Sequence, residues 1–326
     1  MRRNRNNTLL YALLSTLTLL SGWHCRKDED GFRPYERTLD ALDQLLTEVP
    51  DPSLFTVFTL SGLIPDTLLS TPSGMLLSLT DTENLLTDEG GQPLSSSTCN
   101  TLNIEVTEVR KQGDMLARGL HSEAEAGQLL DAVVMVKLRF LCDDTPVKLR
   151  TDRIMLLRVP VNTATLDDDY QTYFSSTASD SAFTRWAFPG KPAYFAEWPV
   201  GQNLQKGYEL VVDRLGWIAC ARPVFNSTAS TFCVQLDAPY NVQNTRAYIV
   251  FEGVNAVAAL KAAPGSTAFC YPQAPVGYPV QVISTTKLDS GYELGNFNTE
   301  IGTNSETPLT PVSISEQALI NFLRTL

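Results

Sequence analysis

The sequence predicts a mainly β protein made of two antiparallel, immunoglobulin-like β-sandwich domains, with a short N-terminal helix and a C-terminal amphipathic helix. Apolar and polar residues alternate with a period of two in many short segments, which is typical of strands with one buried face. Turn-forming residues separate these segments, and no regular helical crossovers lie between them, as expected for antiparallel sheets. The 326 residues, 43% of them hydrophobic, suffice for about two packed domains.

The N-terminus has the three parts of a secretory signal peptide over residues 1–24. A basic head that ends at Arg5 is followed by an apolar run from Leu9 to Leu20 and then by Ser21 and Gly22. A membrane-spanning helix needs about 20 apolar residues, so a signal peptide explains this shorter run better than a retained span does. The sequence therefore predicts export.

Cys25 follows this segment directly and is a candidate lipidation site. Lys27 and an acidic run at 28–30 come next, an arrangement that resembles surface-exported lipoproteins of Bacteroidetes-type bacteria. The resemblance implies that acyl chains on Cys25 hold the protein at the outer membrane, exposed at the cell surface, with residues 25–38 as a tether. His24 stands where these lipoproteins have a small residue, which leaves open cleavage after Gly22 and an unmodified Cys25.

Residues 39–185 are predicted to form the first sandwich domain, which begins with a short helix. Leucines between Leu39 and Leu46 share one helical face, Thr38 can cap the helix, and two prolines follow it. Alternating segments then predict strands at 55–60, 102–106, 134–140 and 153–159.

Residues 186–199 are predicted to join the two domains, and they are rich in aromatic side chains, namely Trp186, Phe188, Tyr194, Phe195 and Trp198. Exposed rings of this kind offer flat faces to sugar rings or to a partner protein. Alternatively, the rings pack between the domains as an interdomain core. The exposure of the two tryptophans distinguishes these interpretations.

Residues 200–326 are predicted to form the second sandwich domain. Alternation returns in several segments, for example at 232–236 and 247–251. Near the C-terminus Leu319, Leu323 and their neighbours form a helical stripe, and Ser313 with Glu316 fits a capping box at its start. This helix is expected to cover one face or edge of the second sheet.

The remaining cysteines predict disulfides, the usual state of cysteine pairs in exported proteins. Cys99 and Cys142 flank predicted strands of the first domain and form the preferred bridge. In the second domain Cys220, Cys233 and Cys270 allow one bridge and one buried thiol. The alternative is that all five are buried thiols. Their spacing is not that of a zinc or redox motif, and we predict neither a metal nor a cofactor.

Several further stretches resemble two-domain surface-exposed lipoproteins of the same bacteria. In the first half these are 74–79, 102–106, 114–116 and 127–130, and in the second half 215–220 and 248–251. The resemblance implies β-sandwich modules on a lipid anchor and supplies no catalytic residues. The lipoproteins have polar residues around the cysteine at position 220, where this chain has Ala219 and Ala221.

The candidate catalytic groups have simpler explanations. His121 lies in a polar loop segment, and Ser284 with Lys287 has the spacing of some acyl-transfer enzymes but follows a predicted strand. The acidic runs at 143–144 and 167–169 lack the alternation of a calcium loop. The formal net charge of −11 argues against nucleic acid as a partner.

The sequence therefore predicts a lipid-anchored envelope protein that acts as a non-catalytic binding or scaffold module. Its partners would be the membrane, through the lipid, and glycans or other envelope proteins. One alternative is a glycan-directed hydrolase or glycan-binding protein, and a hydrolase would need two carboxyl groups across a cleft. The other alternative is a structural component of envelope assemblies.

Overall fold

The alternating segments of the sequence form antiparallel strands in the computed structural model. It describes residues 38–64, 66–125, 127–161, 167–176, 185–187, 189–200, 203–224 and 228–326. The predicted signal peptide, Cys25 and the tether up to residue 37 lie outside these residues. In the described part, strands account for 54% and helices for 11% of the residues, so the prediction of a mainly β, antiparallel protein is confirmed.

The strands and helices have the following bounds in chain order. The strands of the first half are β1 Phe55–Ser61, β2 Asp66–Ser70, β3 Leu76–Thr80, β4 Leu86–Thr87, β5 Thr101–Val109, β6 Leu129–Cys142, β7 Thr145–Leu149, β8 Met155–Pro160, β9 Gln171–Phe174 and β10 Lys191–Val200. The strands of the second half are β11 Asn203–Val212, β12 Gly216–Val224, β13 Ala229–Gln235, β14 Thr245–Phe251, β15 Val257–Leu260, β16 Ala268–Pro275, β17 Pro279–Leu288, β18 Gly291–Glu300, β19 Ser305–Pro308 and β20 Val312–Ile314. The helices are α1 Thr38–Leu46, α2 Thr82–Leu85, α3 Gln112–Ala117 and α4 Glu316–Arg324.

Twelve strands form one large, nearly closed, barrel-like sheet. Its main path runs β1-β5-β6-β12-β9-β10-β11-β8-β3-β2, with β4 and β7 attached beside β6. Along β6, the residues from Val134 to Phe140 that face the interior alternate with the outward-facing Lys137 and Arg139. The interior is filled by apolar residues from almost every strand of the path, which is the burial that period-two alternation predicts.

The remaining strands form two smaller sheets that share a core. A three-stranded sheet has the order β16-β13-β19, and a five-stranded sheet has the order β15-β14-β17-β18-β20. Phe232 and Phe269 from the first sheet and Ile249, Phe251 and Val282 from the second belong to one buried cluster. The two sheets therefore bury their facing sides against each other.

A third cluster, here called the middle layer, fills the space between the large sheet and the five-stranded sheet. Leucines of α1 and α4 and Met115 of α3 meet Ala219 of β12 and Ile283 of β17 there. The C-terminal helix thus packs its apolar stripe in this layer. Its N-cap is Ser315, whose side chain accepts a hydrogen bond from the amide of Ala318 at 3.3 Å. The predicted cap, Ser313, is part of β20.

The sheets do not follow the predicted division into two sandwiches. The boundary predicted between residues 199 and 200 falls within a pair of neighbouring strands, because Val200 of β10 lies opposite Asn203 of β11. Strands β11 and β12, predicted for the second domain, are both members of the large sheet. Residues Thr38–Leu326 form one compact unit.

Candidate ligand-binding cleft

The aromatic residues at 186–199 divide into buried and exposed rings. Trp186 and Trp198 are 0% and 1% exposed, whereas Tyr194 and Phe195 are 54% and 50% exposed. Phe188 lies outside the described residues. The burial of both tryptophans excludes them as a sugar-binding platform. Tyr194 and Phe195 are neighbours on one strand and point to opposite faces of it, so they do not form a joint platform either.

Trp186 belongs to the middle layer, between the large sheet and the five-stranded sheet. Its ring packs in the apolar cluster between the sheets, and its indole N–H donates a hydrogen bond of 2.8 Å to the backbone carbonyl of His121. A buried indole usually has such a partner. Trp198 lies instead against Gly207 of the neighbouring strand, where a Cβ atom would be 2.8 Å from its ring.

The main candidate site is a cleft of about 740 Å³ on the outer face of the large sheet. Residues from β6, β7, the segment after β9 and the turn before β12 line it. Trp217 is the only aromatic side chain in this lining, and it is half-buried. Because Trp217 lies directly opposite Lys137 in the β12–β6 pair, both side chains project to the same outer face.

The cleft is cationic, although the protein as a whole is acidic. Four of its lining side chains carry positive charge, namely Lys137, Arg139, Lys148 and Arg214, and one, Asp213, is acidic. The ammonium group of Lys137 lies 6.0 Å from the centroid of the Trp217 ring, a cation–π distance. The cleft thus combines one indole with several cations.

The cations of the cleft have weak or shared partners among the described residues. Arg139 pairs with Glu105 at 3.2 Å, and half of its side chain is exposed, so this surface pair contributes little. Arg214 lies 4.9 Å from the centroid of the Phe174 ring and shares Asp213 with Lys191. Within the described part of the chain, no carboxylate lies in salt-bridge distance of Lys148.

Asp213 remains charged at the rim of the cleft. Partial burial disfavours its carboxylate, but the hydrogen bonds from Lys191 and Arg214 outweigh this effect and lower the pKa of Asp213. The carboxylate therefore holds two cations together at neutral pH. It fixes the position of Arg214 at the end of the cleft.

A second cavity has a volume of about 570 Å³ and shares part of its lining with the first. The two cavities share Lys148, Leu149 and Thr151 of β7 and the turn after it. The second cavity reaches the turn at Gly90 and Gly91. Arg150 and Asp152, which also line it, hold each other through two hydrogen bonds of 3.1 and 3.0 Å.

The other candidate catalytic residues are not brought together. His121 is 1% exposed, and burial, with smaller effects from Lys261 and Arg185, lowers its pKa to about 4. Ser284 is fully buried, whereas Lys287, three residues further along the same strand, lies over the ring of Tyr292. Residues three apart on a strand point to opposite faces.

The acidic residues have structural partners rather than a shared ligand. Asp143 accepts hydrogen bonds from the amides of Asn100 and Thr101, and Asp167 pairs with Arg222. Arg222 also pairs with Asp131 at 3.2 Å, so one guanidinium bridges two carboxylates. Among the described residues, no group of three His, Cys, Asp or Glu side chains could hold a metal ion.

The described residues contain two disulfides. Cys99 is bonded to Cys142, the bridge preferred from the sequence, and Cys233 to Cys270. Cys220 remains a thiol in the interior of the large sheet. The first bridge joins the segment before β5 to the end of β6, and the second joins β13 to β16.

The cleft itself was not predicted from the sequence. Its residues come from four separate segments, and each cation occupies an ordinary outward position of a strand or turn. The one aromatic residue in its lining, Trp217, lies in the segment 215–220. This tryptophan was noted only as part of a resemblance.

Comparisons with known proteins assign no family to the chain: no protein-family model matches it, and no curated protein matches its sequence. No helix in the described part of the chain has the length and apolar character required to span a membrane.

Proposed function

We propose that the protein is an exported, lipid-anchored envelope protein that binds an external ligand in the cleft beside Trp217 without transforming it. Export and anchoring are supported by the N-terminal sequence, in which an apolar run ends shortly before Cys25. The resemblance to two-domain surface lipoproteins supports a location at the outer face of the outer membrane.

The observation that carries the binding function is the cleft. A concave site with one aromatic group and several convergent polar groups is the usual form of a ligand site. Strands β6 and β12 are paired over their whole common length, so they hold Lys137 and Trp217 at fixed positions. A rigid sheet of this kind provides a preformed site, which reduces the entropic cost of binding.

Trp217 offers a direct test of ligand binding. A mature chain that begins at Cys25 lacks Trp23, and because Trp186 and Trp198 are buried, soluble quenchers should reach Trp217 first. Iodide should quench its fluorescence more strongly than caesium, because Lys137 and Arg214 attract anions. A Trp217→Phe variant should lose this quenchable component, and binding of surface glycans in a glycan array should weaken in Trp217→Ala. Equal glycan binding by the wild type and both variants would contradict the proposed site.

The lipid anchor is tested separately from the cleft. Mass spectrometry of the mature N-terminus should show acyl chains on Cys25, and protease treatment of intact cells should degrade the wild-type protein at the surface. The Cys25→Ala variant should be absent from the membrane fraction. A mature chain that begins at Trp23 with an unmodified Cys25 would contradict the anchor and would leave the cleft proposal unaffected.

We also propose that the three- and five-stranded sheets form an immunoglobulin-like sandwich, which comprises the part of the predicted second domain from β13 onward. Their shared core, with residues from both facing sides, supports this assignment. The first predicted sandwich is not retained, because its strands belong to the nearly closed large sheet.

A glycan-directed hydrolase remains the alternative from another functional class. The observation behind this alternative is the pair of carboxylates, Asp131 and Asp167, that lie on either side of the guanidinium of Arg222. A hydrolase needs its acid and nucleophile on either side of a bound sugar, whereas Arg222 occupies the position between these two. Hydrolysis of a bound glycan that is lost in Asp131→Asn would favour the hydrolase. A role in envelope assembly would instead produce crosslinks to other envelope proteins.

A further inference from the structure

The two cavities around β7 have the shape of one extended site. Lys148, Leu149 and Thr151 line both of them, so the two cavities are adjacent and a chain-like ligand could contact both. One end is marked by Trp217 and the other by the turn at Gly90 and Gly91. A chain-like ligand fits such a site better than a compact one.

The two ends of this site differ in charge. The cavity beside Trp217 has four cations against one carboxylate. In the second cavity Lys148 and Arg150 are accompanied by Glu89 and Asp152, and Asp152 is paired with Arg150. Anionic groups are therefore favoured at the Trp217 end and at Lys148, and a neutral segment is favoured near the glycine turn.

The remaining lining groups and the charge of the protein limit the class of chain-like ligand that can bind. Hydroxyl groups of Thr151, Ser175 and Ser176 lie along the first cavity and can exchange hydrogen bonds with sugar hydroxyls. A single half-buried indole does not provide the series of stacking platforms that single-stranded nucleic acids use. The net charge of −11 also opposes a densely charged polyanion.

We propose that the two cavities form one extended binding site for an acidic oligosaccharide in which charged and neutral sugars alternate. This inference rests on the proposed ligand-binding function and names its ligand class. Carboxylates of the chain bind Lys137, Arg214 and Lys148, a sugar ring contacts the exposed edge of Trp217, and the neutral end lies over Gly90 and Gly91.

The test uses a hyaluronan hexasaccharide, in which uronic acids and neutral amino sugars alternate, and the full mature protein extracted in detergent. The matched control ligand is the same hexasaccharide with its carboxyl groups reduced to alcohols. By calorimetry, the acidic hexasaccharide should bind at least about tenfold more tightly than the reduced one, because charged hydrogen bonds are lost on reduction. It should also bind more tightly than the corresponding disaccharide, which cannot span both cavities.

The matched protein variants are Lys148→Gln and Lys206→Gln. Lys148 lines both cavities, and its replacement should weaken binding of the acidic hexasaccharide about tenfold. Lys206 is an exposed lysine of the same sheet that lines neither cavity, so its replacement should leave the affinity unchanged. Both positions are exposed, and the folding of each variant is checked by its thermal transition.

The outcomes separate this inference from the proposed function. Equal binding of the acidic and reduced hexasaccharides would overturn the proposal that the ligand is an acidic oligosaccharide. Tighter binding of a thymidine oligonucleotide would overturn it as well. A neutral glycan that requires Trp217 would also overturn it and would leave the cleft as a ligand site. If no ligand in the glycan array depends on Trp217, both proposals fail.

Discussion

The interior of the large sheet and the middle layer differ in how the chain builds them. The interior is lined by alternate residues of neighbouring strands, such as Ile104, Val106 and Val136. The middle layer instead collects side chains from three helices, from the outer face of the large sheet and from the isolated Trp186. The first core follows from local alternation, whereas the second requires segments far apart in sequence to meet.

The same comparison explains the position of the cleft. The outer faces of β6 and β12 carry Met135 opposite Ala219 and then Lys137 opposite Trp217. The first pair is buried in the middle layer, and Trp217 packs against the edge of that layer while it lines the cleft. The cleft therefore begins where the helices and the five-stranded sheet stop covering the large sheet.

Replacement of Trp186 by alanine should have the largest effect on the middle layer. The change removes a fully buried ring and its hydrogen bond to the His121 carbonyl, and it should lower the free energy of unfolding by about 5 kcal/mol. Urea denaturation measures this loss. Trp186→Phe, which keeps most of the ring, should lose much less. A loss below about 1 kcal/mol in Trp186→Ala would show that the layer does not depend on this ring.

Removal of either disulfide should destabilise its own region by a similar amount. The bridges span 43 and 37 residues, for which the chain-entropy model gives roughly 4 kcal/mol each. Urea denaturation of Cys99→Ala/Cys142→Ala and of Cys233→Ala/Cys270→Ala measures the two losses. If only the loss of the Cys99–Cys142 bridge lowers the free energy of unfolding, the stability of the whole unit depends on the large sheet and not on the small sheets.

His121 should make the protein less stable as the pH falls. Its pKa is about 4 in the native state, against 6.5 for a histidine in the unfolded chain, so between these values the unfolded chain binds the proton more readily. Stability is therefore lost as the pH falls through 6.5, and the loss is complete below 4, where it reaches about 3 kcal/mol.

This pH dependence is measured by comparing urea denaturation of the wild type and His121→Gln at several pH values. The difference between the two proteins isolates the histidine, because the carboxylates titrate in both. A difference that stays constant from pH 7 to pH 4 would mean that His121 binds its proton equally well in both states.

The cap of the C-terminal helix should have the smallest of these effects. Ser315→Ala removes the hydrogen bond to the Ala318 amide and should cost about 1 kcal/mol in urea denaturation. Ser313→Ala, at the position that the sequence pattern favoured, serves as the control and should cost less. A larger loss in Ser313→Ala than in Ser315→Ala would instead support the capping box predicted from the sequence.

The sequence predicts the strands well because alternation is a local property. Leu102, Ile104 and Val106, the apolar positions of the predicted strand, are all buried in β5. The closure of the large sheet could not be predicted in this way. It depends on pairings such as that of β12 with β6, which join segments far apart in the sequence. The cap position shifted by two residues because β20 extends to Ile314 before the helix begins.

The burial of Trp186 and Trp198 could not be predicted from the sequence for a related reason. The density of aromatic residues at 186–199 suggested a binding segment, but density does not determine which rings are covered. Trp186 is covered by the middle layer, whose residues are distant from it in sequence, whereas Trp198 lies against Gly207 of the paired strand β11. Trp217 lies in an unremarkable strand and becomes accessible because nothing covers that end of the sheet within the described residues.

The reactivity of the Cys220 thiol can report the opening of the large sheet. The thiol is completely buried, and burial raises its pKa, so the reactive thiolate is scarce in the folded protein. A maleimide in the solvent should therefore modify this sulfur only in molecules whose strands have separated. The labelling rate would then report how often the sheet comes apart, with no change to the chain.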